Sequence, residues 1–114
     1  MASDNEHCGD RGRECTITVS NPVLRGMYPD PSWIWDTTRE EIVLVNSSFE
    51  LVPGLPIHTT RDLVTWTRTA NAVDEAMSHR LLIDGVEDSG GLYAPTIRRI
   101  GGRYVIVCTV TRVN

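Results

Sequence analysis

From Asn21 onward, short apolar runs rich in β-branched residues alternate with glycine and proline along the 114-residue chain. "EIVLVNSS" (41–48) and "LPIHTT" (55–60) read as strands, because branched side chains fit a pleated, half-buried surface. In "LVTWTRT" (63–69) a period of two puts Leu63, Thr65, Thr67 and Thr69 on one face and Val64, Trp66 and Arg68 on the other, which predicts another strand. "APTIRRI" (94–100) and "RYVIVCTVTRV" (103–113) flank Gly101 and Gly102. Two glycines accept the positive φ of a tight turn, so these runs predict a hairpin. "VPGLP" (52–56) and "DGVEDSGG" (84–91) are turn sequences, and only "AVDEAMSHRLL" (72–82) has helical character, enough for one or two turns inside a long loop. Residues 1–20 mix charges with Gly and Ser without periodicity and predict a flexible tail. The class is all-β, compatible with a sandwich, a barrel or a propeller.

Composition narrows function mainly by exclusion. A net charge of −4 is wrong for meeting phosphates, so nucleic acid is not an expected partner. All 11 positive residues are arginines, which removes Schiff-base and P-loop lysine chemistry. No apolar run has the length of a membrane span, and "MASDNEHCGDRGREC" lacks the apolar stretch of a signal peptide, so the expectation is a cytoplasmic location or a lost leader. Three cysteines form no complete disulfide framework. Cys108 reads as a small buried hydrophobe. Cys8, Cys15 and His7 fit no zinc spacing and predict no metal site.

The stretch "NPVLRGMYPDPSWIW" (21–35) carries the main candidate for chemistry. Pro29 and Pro31 restrict the backbone on both sides of Asp30. Such a carboxylate is either aimed at a reacting group or hydrogen-bonded to its own backbone in a turn. Other polar residues read as ordinary. Glu50 is expected to pair with an arginine, His58 and His79 have no ligand partner in sequence, and the sequon Asn46-Ser47-Ser48 falls inside an expected strand.

Three segments in order, "NPVLRGMYPDPS", "VNSSFELVPGLPIHTTRDLVTW" and "SGGLYAPTIRRIGGRYVIVCT", resemble the start of glycoside hydrolase family 43, the family of β-xylosidases and α-L-arabinofuranosidases. The resemblance runs from about Asn21 to the C-terminus. It implies the N-terminal part, about one blade and the beginning of the next, of a five-bladed β-propeller with a pocket at the centre of one face. It also implies hydrolysis with inversion by three acidic residues: an Asp base, an Asp that orients and tunes, and a Glu acid. The base maps to Asp30. Phe49 maps to an aromatic lining the sugar subsite. Tyr93 and Ala94 map to a Trp-Ala pair that precedes Pro in β-xylosidases, with Tyr93 departing from the Trp and so altering the fit for sugar.

No motif for the tuning Asp or the acid Glu occurs within these residues, and an inverting site needs two carboxylates roughly 6.5–9.5 Å apart. The expectation is therefore a chain inactive alone, whose parent takes a xylo- or arabino-saccharide and requires no cofactor. The resemblance allows a calcium ion on the axis of the full-length parent. No signal for an oligomeric state is present. The alternative from another class is a non-catalytic carbohydrate-binding β module using Phe49, Tyr93 and Trp33 or Trp35 as platforms.

Overall fold

A computed structural model describes residues 14–81, 83 and 90–112. The elements are β1 (Ser32–Asp36), β2 (Glu41–Val45), β3 (Gly54–Thr60), β4 (Thr67–Val73), α1 (Glu75–Leu81), β5 (Gly91–Ile100) and β6 (Arg103–Thr111). The first four strands form an antiparallel meander in the order β1-β2-β3-β4, and β5 and β6 form a separate two-stranded sheet. A four-stranded meander followed by the opening hairpin of a second sheet is the build of one propeller blade and the start of the next.

The two sheets share one core. Val43, Val45, Leu55 and Val73 from the first sheet meet Leu92 and Ile97 from β5 and Ile83 from the connection, with Ile34, Ile106 and the half-buried Cys108 packed around them. Strand alternation sends the other side chains of β1 to the opposite face, where Trp33 pairs with Leu44 and Trp35 with Ile42. Both tryptophans are at least half exposed, as are Ile100 and Val107 on the second sheet. β1 is also an edge strand of the first sheet, and an exposed apolar edge strand recruits other strands. The 114-residue chain is expected to self-associate at micromolar concentration in sedimentation velocity. A monodisperse monomer with one sharp thermal transition would contradict this.

The predicted β5–β6 hairpin is present. Gly101 and Gly102 have φ of 55° and 76° and connect Ile100 directly to its partner Arg103. Other boundaries differ from expectation. The strand expected at 63–69 lies at Thr67–Val73, because Asp62 Oδ1 accepts the N–H groups of Val64 and Thr65 and folds that part of the alternating run into a turn. β1 was not expected from sequence, and β2 ends at Val45 rather than running to Ser48. Cys15 is disulfide-bonded and Cys108 is free. His7, Cys8 and most of the 84–91 turn lie outside the described residues. His58 is buried rather than an ordinary polar residue, and burial together with Arg68 lowers its pKa, so it is neutral at pH 7.

Asp36, at the end of β1, ties the sheets together. Its carboxylate accepts from the Tyr104 hydroxyl, from Arg99 Nη1 at 2.8 Å, and from the N–H groups of Thr38 and Arg39. The Tyr104 bond, then the two backbone N–H groups and the Arg99 charge, hold its pKa below the ordinary aspartate value against the opposing effect of burial. A depressed folded-state pKa gives stability that is complete above the unfolded value of about 3.9 and is lost as pH falls through the folded value. Tyr104→Phe is therefore expected to lower stability at neutral pH and to move the acid-unfolding transition to higher pH. Circular dichroism against pH checks this, and an unmoved transition would contradict it.

Candidate active site

The buried tripeptide Asn46-Ser47-Ser48 follows β2 and gathers the candidate residues. The Asn46 side-chain amide donates to the carbonyls of Tyr28 and Pro29, and the Ser47 N–H donates to the carbonyl of Pro29. Three bonds thus fix the backbone that leads into Asp30. Ser48 Oγ accepts the N–H of Leu55, and the N–H groups of Ser48 and Phe49 converge on the carbonyl of Leu92. One polar segment therefore clamps the Pro29–Asp30 loop, the start of β3 and the start of β5. The sequon reading of Asn46 ends here, since its side chain is 1% exposed and committed to the backbone.

Asp30 is exposed, and its Oδ2 accepts a hydrogen bond of 2.6 Å from Ser47 Oγ. Its side chain makes no bond to its own neighbouring backbone among the described residues, so the simple turn reading does not describe it. Ser47 Oγ in turn accepts the N–H of Ala94 at 2.7 Å. Asp30 and Ala94, far apart in sequence, are thus joined through one hydroxyl. Ala94 sits where the β5–β6 register shifts between Tyr93 and Thr96, a bulge that turns its backbone toward Ser47.

Phe49 forms an isolated bridge with Leu92, and its ring stacks on Tyr93 with centroids 4.3 Å apart and planes 14° from parallel. The rings cover one another's inner faces, so the platform that suits the C–H face of a sugar is an outer face of the stack. Gly91 makes the approach feasible. Its φ is +99°, and a Cβ there would lie 1.8 Å from the carbonyl oxygen of Phe49.

Three of the four residues expected at the site, Asp30, Phe49 and Ala94, have positive φ values of 52°, 53° and 45°. Each costs on the order of 1–3 kcal/mol and persists only where surrounding contacts impose it. Here the clamp of residues 46–48 supplies those contacts. The same strain occurs at Glu40, Leu55 and Leu63, so it accompanies the site without being confined to it. Glu50 makes no ion pair with an arginine among the described residues, contrary to expectation. A concavity of about 830 Å³ lined by Val52, Pro53, Asn71, Asp74, Glu75 and His79 includes none of the four candidates, which lie on an open face of the chain. Among the described residues no three of His, Cys, Asp or Glu come together as a metal-binding set.

Ser47 was missed by sequence reading. Its only signal was a run of small polar residues between a β-branched strand and the lone Phe49, and that pattern reads equally well as a turn.

A four-stranded meander followed by the opening hairpin of a second sheet puts the chain in the class of β-propellers. The chain belongs to the family described as Glycosyl hydrolases family 43, which matches residues 19–114. It is 38% identical over 93 residues to a non-reducing end alpha-L-arabinofuranosidase, BoGH43B, from Bacteroides ovatus, covering 81% of this chain and 17% of that protein. It is 34% identical over 97 residues to a beta-xylosidase from Bacillus subtilis, covering 85% of this chain and 17% of that protein. Among solved structures, a xylan beta-1,4-xylosidase from Bacillus halodurans superposes with a TM-score of 0.73 at 28% identity, covering 84% of this chain and 18% of the other. The chain thus spans about a sixth of the length of these relatives, and its sheets correspond to the N-terminal part of a family 43 propeller.

Proposed function

We propose that this chain forms one wall of a glycoside hydrolase active site in which Asp30 is the general base for inverting hydrolysis of xylosides or arabinosides. The carrying observation is the convergence of Asp30, Ala94 and the Phe49–Tyr93 platform on the clamp at residues 46–48. A base for water must be ionised, fixed and open on one side. Asp30 Oδ2 is held by Ser47, while Oδ1 has no protein partner among the described residues and is available to water. Water deprotonated there attacks the anomeric carbon, and the leaving oxygen takes its proton from an acid on the opposite side of the ring. That acid and the tuning carboxylate come from outside these 114 residues. Only carboxylates and water take part, so the reaction requires no cofactor. The relatives' names, xylosidase and arabinofuranosidase, support a pentose substrate.

The test is the stereochemistry of hydrolysis by a protein carrying this chain within a complete propeller. Proton NMR of the first-formed sugar is expected to show the anomer inverted from the substrate, with either p-nitrophenyl xyloside or arabinofuranoside as substrate. Retention would contradict the base role of Asp30.

A further inference from the structure

We infer that Ser47 is a positioning residue for the reaction, acting by orienting the Asp30 carboxylate. The inference rests on the reading of Asp30 as the base. Ser47 Oγ lies 2.7 Å from the N–H of Ala94 and 2.6 Å from Asp30 Oδ2, and its side chain is fully buried. A backbone N–H can only donate, so it takes an acceptor site on the hydroxyl oxygen. An ionised carboxylate can only accept, so the Ser47 proton points to Asp30. Both polarities are therefore set, and the bond to Asp30 is the short, charge-assisted kind.

The position of Ser47 adds rigidity to direction. Its own N–H is bonded to Pro29, the residue before Asp30, at 3.0 Å. Asp30 is thus gripped twice from one residue, through the preceding carbonyl and through its carboxylate. This offsets the cost of holding a residue before proline at φ 52°, a region that the following ring disfavours. With Oδ2 held, the free Oδ1 is presented in one orientation. An exposed carboxylate without that bond would rotate about two torsions.

The test uses a protein carrying this chain within a complete propeller, assayed on p-nitrophenyl xyloside and arabinofuranoside. Ser47→Ala is expected to lower kcat about tenfold to a hundredfold, the scale of a misplaced catalytic group, with KM changed less than about twofold. Ser47→Thr, which keeps the hydroxyl, is expected to recover most of kcat. In an Asp30→Ala background, Ser47→Ala is expected to cost less than about twofold further, because the group it orients is gone. A rise in KM at constant kcat would overturn the inference and place the effect at Ala94. An equal loss in both backgrounds would also overturn it and leave Ser47 a folding residue. Should Ser47→Ala fail to fold, Ser47→Cys, a weak donor of similar size, takes its place, and unchanged kcat there overturns the inference. If Asp30→Ala alone retains full kcat, the assignment of the base has failed, whatever Ser47 does.

Discussion

Replacing Asp30 by Ala in a complete propeller is expected to reduce kcat at least about a thousandfold while KM changes little. General-base catalysis by a positioned group contributes on the order of 10²–10⁴-fold, and removal of the side chain also loses the water it holds. The expected loss is in kcat because the carboxylate does its work as the proton leaves water, after substrate has bound. In the proposed site sugar contact falls instead to Phe49 and Tyr93, whose stacked rings do not depend on the Asp30 charge. Truncating Phe49 is therefore expected to act the other way round, mainly on KM. Steady-state kinetics on both nitrophenyl glycosides separate the two, and an Asp30→Ala protein with near-normal kcat would remove Asp30 from the mechanism.

Gly91→Ala is expected to destabilise the chain by at least about 3 kcal/mol, the range reserved for a direct clash or loss of a network. The added Cβ would lie 1.8 Å from the Phe49 oxygen and 2.7 Å from the Glu50 N, both backbone atoms that cannot rotate away. It also meets the penalty of a positive φ of 99°. The only relief is to part β5 from Phe49, which breaks the mutual bonds of Phe49 and Leu92 and unstacks Phe49 from Tyr93. Gly102→Ala is the matching control. It also has positive φ, but a Cβ there meets nothing within 4 Å, so only the left-handed backbone cost of about 1–2 kcal/mol applies. Thermal melts of the two variants, with near-ultraviolet dichroism for the aromatic pair, check the difference. Equal effects would mean that the close approach at Gly91 is not what holds β5 to Phe49.

What could be read from sequence followed the range of the interaction involved. Gly101-Gly102 encodes its hairpin locally, because the turn needs only two residues with positive φ. The alternation in 63–69 was also local, but it competed with Asp62, whose carboxylate captures the next N–H groups and delays the strand. Pattern reading had no means of ranking those two local preferences. Asp36 was silent in sequence because its partners Arg99 and Tyr104 lie on the second sheet, 63 and 68 residues away. The site divides the same way. Asp30, Phe49, Tyr93 and Ala94 became candidates through motifs whose resemblance to a family carried the tertiary information. Ser47, which joins two of them, has no local signature, since a serine before an aromatic is as common in turns as in clamps.

The strained φ values at Asp30, Phe49 and Ala94 fit the same account. A carboxylate between prolines would relax toward an extended backbone if left alone. It is kept in the left-handed region by bonds from a segment seventeen residues on. Stability invested in the clamp is thus converted into a fixed direction for one carboxylate, which is what a base for water requires.

The most direct measurement of the central claim, that Asp30 is a base in a site completed by residues outside this chain, compares three proteins on p-nitrophenyl xyloside and arabinofuranoside. They are the 114-residue chain, the chain within a complete propeller, and the latter with Asp30→Ala. Activity is expected only in the second. Turnover by the 114-residue chain alone would show that a carboxylate within it, such as Glu50, supplies the acid, and would contradict the account.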